Sequence, residues 1–349
     1  MDETKLEQFM GKAVTDMAAA MTLLLMTIGD KLGIYKAMAG AGSVTTEELA
    51  KSTGLDERYL REWLGNQVAG GYVSYDAKTK TYELPEEHAF ALADEDSPVF
   101  LGGAFDVFGA AWAAEDQVTD AFRTGKGIGW HEQHPRLFRG TERFFRPGYK
   151  AHLTAEWIPA LDGVEDKLKA GATVADIGCG HGASTIIMAE AYPASRFVGF
   201  DYHEPSIDAA SKAAATAGVA DRAHFEVAAA KDFKGTFDLV CFFDCLHDMG
   251  DPVGAAAHAR KALKPGGTVL LVEPFANDNL EDNINPVGQM FYGASTFVCT
   301  PASKSQEVGL GLGAQAGEGR LHEVFTQAGF SSFRRATETP FNLVLEAQA

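Results

Sequence analysis

The chain has 349 residues, with 30 Lys and Arg against 48 Asp and Glu, a formal charge of −18 at neutral pH. Its 46% hydrophobic and 22% charged residues exclude a disordered or collagen-like chain, and its length predicts two domains rather than one. A field of this sign disfavours nucleic acid and anionic lipid as partners, because binding a phosphate backbone depends on Lys and Arg that release its counterions.

The amino terminus, Met1-Asp-Glu-Thr-Lys5, lacks the basic start of a secretory signal. The dense apolar run Ala18 to Ile28 is shorter than the about 20 residues that a bilayer requires, so it predicts a buried helix and no membrane partner. Cys179, Cys241, Cys245 and Cys299 form no C-x-x-C pair, a usage that fits a reducing cytoplasm. Thr45-Thr-Glu-Glu48 is a capping box that opens a short helix ending at Gly54. Asp56 caps the next helix, where Leu60, Leu64 and Val68 recur at helical spacing until Gly70-Gly71. Tyr72 to Tyr75 and Thr81 to Leu84 then read as a hairpin around a polar turn. Two helices and a hairpin in this order resemble a winged helix. Between Thr45 and Glu87 five basic residues (Lys51, Arg58, Arg61, Lys78, Lys80) face nine acidic ones, so a structural or dimerising role is expected over DNA binding.

Residues 95–165 are aromatic-rich and predict a helical bridge that also contributes to a substrate pocket. Trp130-His-Glu-Gln-His134 puts two histidines at helical spacing, but no further ligands accompany them; surface or pocket histidines are expected and no metal centre is assigned. From Gly171 onward short apolar runs alternate with helical stretches, the pattern of βαβ units and a parallel sheet. Within it, Val174-Ala-Asp-Ile-Gly-Cys-Gly-His-Gly182 leads from a strand through three glycines into a helix. Glycines there let backbone amides approach a ligand at the positive end of the helix. The spacing is G-x-G-x-G, not the G-x-G-x-x-G of dinucleotide sites, which argues against a nicotinamide-dependent oxidoreductase. The next strand, Arg196 to Asp201, ends in a carboxylate 19 residues past Gly182, placed to grip a ribose diol.

These residues resemble the Rossmann-like class I methyltransferases that use S-adenosylmethionine. Phe237 to Phe243 is similar to their fourth strand, Leu263-Lys-Pro-Gly-Gly-Thr-Val269 to the turn into the fifth, and Ala328-Gly-Phe330 to the turn before a final hairpin. With the winged helix in front, the whole resembles bacterial small-molecule methyltransferases that dimerise through that domain. The resemblance implies an α/β fold with a seven-stranded, mostly parallel sheet and helices on both faces. It implies three parts: a winged-helix dimerisation domain (1–94), the bridge (95–165), and a cofactor domain (166–349) with an insertion over 275–320. It further implies S-adenosylmethionine held by Asp176, Gly178 and Gly180 around its methionine part, Asp201 at the ribose and Tyr202 at the adenine edge, with Cys179 and Asp244 as further cofactor-binding residues. Related enzymes often have an Asp where this chain has Ala229; backbone groups of Ala230 and Lys231, or Asp232, are the substitutes.

In Asp244-Cys-Leu-His-Asp-Met-Gly-Asp-Pro252, His247 follows a strand end, where open α/β sheets bind ligands. It is the candidate base for a methyl acceptor, or alternatively a packing or positioning residue. Tyr149, Trp157, Phe291 and Tyr292 are the pocket candidates, and the 275–320 insertion has the length of a lid or binding loop. The expected activity is methylation of a small aromatic or apolar molecule at oxygen by a cytoplasmic homodimer. Methylation at nitrogen, sulfur or carbon, and a DNA-associated regulator that binds the cofactor, are the alternatives.

Overall fold

The structure is a computed structural model that describes residues 1–349. The chain divides into two compact units, residues 1–109 with 139–147, and residues 110–138 with 148–349.

The first unit opens with α1 (Glu3–Leu32), followed by α2 (Ile34–Met38), α3 (Thr46–Thr53), α4 (Glu57–Ala69), the hairpin β1 (Ser74–Asp76) and β2 (Thr81–Glu83), and α5 (Glu86–Leu92). The expected capping box forms: Thr45 Oγ1 accepts from Glu48 N, and the Glu48 carboxylate accepts from Thr45 N at 2.8 Å. Asp56 caps α4 as its sequence position predicts. Tyr35, Trp63 and Leu64 are central to the core. The two rings meet edge-on, the Tyr35 hydroxyl donates to Gln67, and Trp63 Nε1 donates to the Leu25 carbonyl. Gly29 is where α1 meets the Trp63 ring; a Cβ there would lie 2.5 Å from it.

α1 departs from the expectation of a buried helix. It spans 30 residues, and only Thr22, Met26, Thr27 and Gly29 are buried. Met10, Val14, Met17, Met21, Leu24 and Ile28 are exposed and alternate at four- and three-residue steps. That spacing is the four-and-three step of a coiled-coil seam, and the seam is not part of this unit's own core.

α6 (Gly102–Ala113), α7 (Glu115–Thr124) and α8 (Arg136–His152) follow. In the first unit, α8 contributes Arg143, whose buried guanidinium bonds Asp30 of α1 at 3.0 Å and Asp106 of α6 at 3.2 Å and lies over the Phe100 ring. One buried cation thus ties α1, α6 and α8 together.

The second unit contains α9 (Val164–Ala170), β3 (Thr173–Ile177), α10 (Ala183–Ala191), β4 (Arg196–Asp201), α11 (Glu204–Thr216), β5 (Ala223–Val227), β6 (Phe237–Phe243), α12 (Pro252–Ala262), β7 (Leu263–Pro274), α13 (Pro286–Ala294), α14 (Thr300–Lys304), α15 (Gly317–Gln327), β8 (Ser332–Glu338) and β9 (Asn342–Gln348). The sheet order is β5-β4-β3-β6-β7-β9-β8; β9 runs antiparallel to both its neighbours and the other pairs are parallel. This is the mixed α/β architecture whose parallel strands the alternation of apolar runs predicts and whose seven-stranded, mostly parallel sheet the resemblance implies. Phe200, Phe242, Val240 and Leu345 belong to its core.

The insertion is not an irregular loop. A 3-10 turn (Leu280–Asn283), α13, a π-helical turn (Ser295–Cys299) and α14 precede a glycine-rich return to α15. That return is fastened to the segment after β6. Leu310 N donates to the Gly250 carbonyl at 2.9 Å, Gly311 N to Ser303 Oγ at 3.0 Å, and Ser303 Oγ to the Met249 carbonyl at 2.8 Å.

Arg143→Ala leaves the Asp30 and Asp106 carboxylates buried without their cation, so it should lower the unfolding free energy by about 3–5 kcal/mol in urea titrations. Unchanged stability would show that these carboxylates find other partners.

Candidate active site

In a parallel sheet all strands end at one edge, and at that edge this chain carries a buried carboxylate on four adjacent strands: Asp201 on β4, Asp176 on β3, Asp244 just past β6 and Glu273 on β7. Each finds different partners.

Asp176 Oδ2 accepts from Ser184 Oγ and Thr185 Oγ1, both at 2.6 Å, which fastens the strand to the first turn of α10. Its Oδ1 is buried with no hydrogen-bond partner. Burial pushes its pKa up to about 6 against the opposing pull of the two hydroxyls. Asp201 takes Gly180 N at 3.0 Å and His203 N at 2.9 Å, and burial raises its pKa despite those amides.

The three glycines of the turn differ in use. A Cβ on Gly182 would strike Phe225 and Ala210, so this position sets the close packing of α10. A Cβ on Gly178 would lie 2.9 Å from Cys245 Sγ, so the turn packs against the segment that leads to His247. Gly180, at φ +52°, has nothing within 4 Å of that position: its face is open to a ligand.

Asp244 has a left-handed backbone, φ +49°, which Asp tolerates better than most residues. Its Oδ2 accepts from the Tyr149 hydroxyl at 2.9 Å and its Oδ1 from Asn342 Nδ2 at 3.3 Å. Burial, and then the charge of Glu273, push its pKa up to about 8. His247 is buried in the 3-10 turn Leu246–Asp248. Its Nδ1 bonds Glu273 Oε2, and the other Glu273 oxygen accepts from Leu246 N at 3.0 Å. Burial alone would lower the imidazole's pKa; the charges of Glu273 and Asp248 outweigh it and hold the pKa well above the ordinary value.

Among the residues singled out from sequence, the structure brings Tyr149, Trp157 and Asp244 together: Trp157 is fully buried and meets the Tyr149 ring edge-on at 6.0 Å. Gly180 and Asp201 are joined directly, while Cys179 is buried and donates its N–H to the Phe200 carbonyl. Tyr202 is partly exposed beside His203, whose ring contacts Phe138, itself against Trp130. Ala230 is half-buried, and the Lys231 side chain reaches Asp251 and Glu307. Phe291 is buried in α13, with Tyr292 partly exposed beside it. The two spaced histidines do not share a helix: the 3-10 turn covers Trp130–Glu132, and His134 lies beyond it. Glu273, Asp248, Asn342 and the Ser184–Thr185 pair were not singled out. The signal for Glu273 is present in sequence, an acidic residue closing the apolar run Val269 to Val272.

Residues 19–94 match the Rv2258c-like winged HTH domain and residues 168–329 the methyltransferase domain family. The chain therefore carries a winged helix-turn-helix domain followed by a methyltransferase domain. Among curated proteins it is similar to 27-O-demethylrifamycin SV methyltransferase of Amycolatopsis mediterranei (36% identity over 107 residues, 30% of this chain and 39% of that protein). It is also similar to ubiquinone biosynthesis O-methyltransferase of Pseudomonas paraeruginosa (30% over 134 residues, 37% and 54%). The chain thus spans only about two fifths to a half of the length of these relatives. Among solved structures, the mitomycin 7-O-methyltransferase MmcR superposes with a TM-score of 0.74 at 20% identity, covering 99% of this chain and 100% of that one. The O-methyltransferase NcsB1 from neocarzinostatin biosynthesis, solved with S-adenosylmethionine and a hydroxynaphthoic acid, superposes at 0.67 and 19%, covering 97% and 98%. At these identities the superpositions establish the fold.

The raised pKa of Asp244 means that the folded chain holds this proton more tightly than the unfolded chain. The resulting stability is complete below the ordinary carboxylate range and is lost as pH rises through about 8. Asp244→Asn keeps an acceptor for Tyr149 and has no such proton to lose. Its Tm should therefore gain on the parent by several degrees between about pH 5 and about pH 9; a pH-independent difference would show that Asp244 ionises at no extra cost.

Proposed function

We propose that this chain is a homodimeric methyltransferase that moves the methyl group of S-adenosylmethionine to a hydroxyl of a small, apolar or aromatic acceptor. The observation that carries this reading is the His247–Glu273 pair, placed two residues beyond the Cys245 that packs on the glycine turn.

The residues present fit the cofactor. The open face at Gly180 admits a ligand against the backbone, Asp176 Oδ1 is a buried acceptor awaiting a donor, and Asp201 lies at the next strand end. When bound, the cofactor supplies an electrophilic methyl on a sulfonium, with a neutral leaving group. The protein then has three tasks: to align the acceptor, to exclude water and to remove the acceptor's proton. A hydroxyl needs that last step, because the neutral oxygen is a weak nucleophile. In the neutral form of His247, with Nδ1–H donated to Glu273, the lone pair is on Nε2. Nε2 takes the proton, and Glu273 and Asp248, the latter 3.1 Å away, stabilise the imidazolium that results. This need for a base favours oxygen over nitrogen, sulfur or carbon as the methyl acceptor. Tyr149 and Trp157 on one side, and Phe291 and Tyr292 from the insertion, supply the apolar walls; Ala230 and Lys231 offer backbone groups to the adenine.

The exposed seam of α1 supports the homodimer. α1 is also long and apolar enough to cross a bilayer, but the Lys12–Asp16 pair lies within it, and a heptad seam suits a helix better than lipid. The winged helix-turn-helix match raises DNA binding as a second use. Against it, both arginines of α4 are paired within the helix, Arg58 with Glu62 and Arg61 with Glu57, leaving no basic stripe for phosphates.

S-adenosylhomocysteine at about 100 times its Kd should stabilise the protein by about 2.7 kcal/mol. His247→Ala should preserve that shift and lower kcat by about 10²–10⁴-fold in a screen of phenols. No shift for the parent protein removes the cofactor assignment, and a loss under about tenfold removes His247 as the base. In light scattering Met17→Glu should yield a monomer; a persistent dimer would place the interface elsewhere.

A further inference from the structure

His247 has a second set of neighbours that the methyl-transfer reading does not require. On the side away from Glu273, its Nε2 faces the Asp248 carboxylate, whose Oδ1 is buried without a hydrogen bond. The π-helical turn Ser295–Cys299 brings Cys299 to the same place, and this cysteine is buried and free. One ligand atom each from His247, Asp248 and Cys299 lie within 4.8 Å of one another. We propose that this triad is a binding site for a zinc-like divalent transition-metal ion, and that its occupancy withdraws His247 from proton transfer.

Four observations point the same way. An imidazole nitrogen, a thiol sulfur and a carboxylate oxygen form a mixed donor set that suits Zn²⁺ and not Mg²⁺ or Ca²⁺. Tetrahedral zinc places such atoms about 3.3–3.7 Å apart, so side-chain adjustments within the present cluster suffice. Glu273 on Nδ1 is the second-shell carboxylate that zinc-bound histidines commonly carry: it orients the ring and turns the Nε2 lone pair toward the cluster. The buried Glu273 and half-buried Asp248 carboxylates flank a single imidazole, an imbalance that a bound cation would offset. Three protein donors leave a fourth position for water or the acceptor oxygen.

Binding forms bonds from the metal to His247 Nε2, an Asp248 oxygen and Cys299 Sγ. The thiol proton and any proton carried on Nε2 are released to solvent, with no change of oxidation state. The Nε2 lone pair is then engaged, so metal binding and proton acceptance at His247 exclude each other. This consequence rests on His247 being the base; the metal site does not.

Co²⁺ added to the reduced full-length protein reports the site directly, since a cysteine ligand produces thiolate-to-cobalt absorption in the near ultraviolet. The proposal expects such a band at one equivalent, displaced by Zn²⁺ and absent in both Cys299→Ala and the size-matched Cys299→Ser. It also expects Zn²⁺ to suppress methyl transfer to the best phenol of the screen by tenfold or more, reversibly with a chelator. Both variants should keep the parent's metal-free rate and escape suppression. No thiolate band in the parent protein, or a band that survives in both variants, overturns the site. A band lost in the variants while zinc leaves the parent's rate unchanged overturns the link to His247 alone.

Discussion

The constraint on which the second unit depends is the burial of four carboxylates along one edge of its parallel sheet. Asp201, Asp176, Asp244 and Glu273 stand on adjacent strands, and an unpaired buried charge there would be strongly destabilising. The architecture around the edge supplies partners: hydroxyls of α10 for Asp176, amides of the glycine turn for Asp201, the Tyr149 phenol for Asp244, and His247 for Glu273. The same residues that make the sheet tolerable hold the glycine turn, the β6 turn and Tyr149 to one edge.

That arrangement also explains why the edge can do chemistry. Three carboxylates have pKa values raised by burial, and one imidazole has its pKa raised by its carboxylate neighbours. Opposite shifts in neutral-form stability on adjacent groups are the raw material of proton transfer. Asp244 and Glu273 are close enough to influence one another, yet one is satisfied by a neutral phenol and the other by a basic ring. Only the second of these pairs sits on the turn whose Cys245 packs against Gly178.

The insertion contributes to the site through its backbone order. Its helix α14 and glycine-rich return bond the segment from Met249 to Gly250, and Gly313 N reaches the His247 carbonyl at 3.3 Å. A segment that reads as a loop by length is thereby part of what fixes the His247 turn. In the first unit the counterpart is Arg143, which holds α1, α6 and α8 on one buried cation while the seam of α1 remains open.

The sequence by itself determined what depends on local chemistry. The capping box at Thr45, the Asp56 cap, the glycine spacing from Gly178 to Gly182 and the apolar strand runs all act within a few residues, so periodicity and turn residues reveal them. The parallel sheet followed from the alternation of those runs. What the tertiary structure decided depends on residues far apart in the chain. Glu273 meets His247 because β6 and β7 are neighbours, and Tyr149 meets Asp244 across 95 positions. Cys299 joins Asp248 only because a π-helical turn lies against the β6 turn. The exposure of α1 was equally hidden, since an apolar run has the same composition whether it fills its own core or presents a seam to another helix.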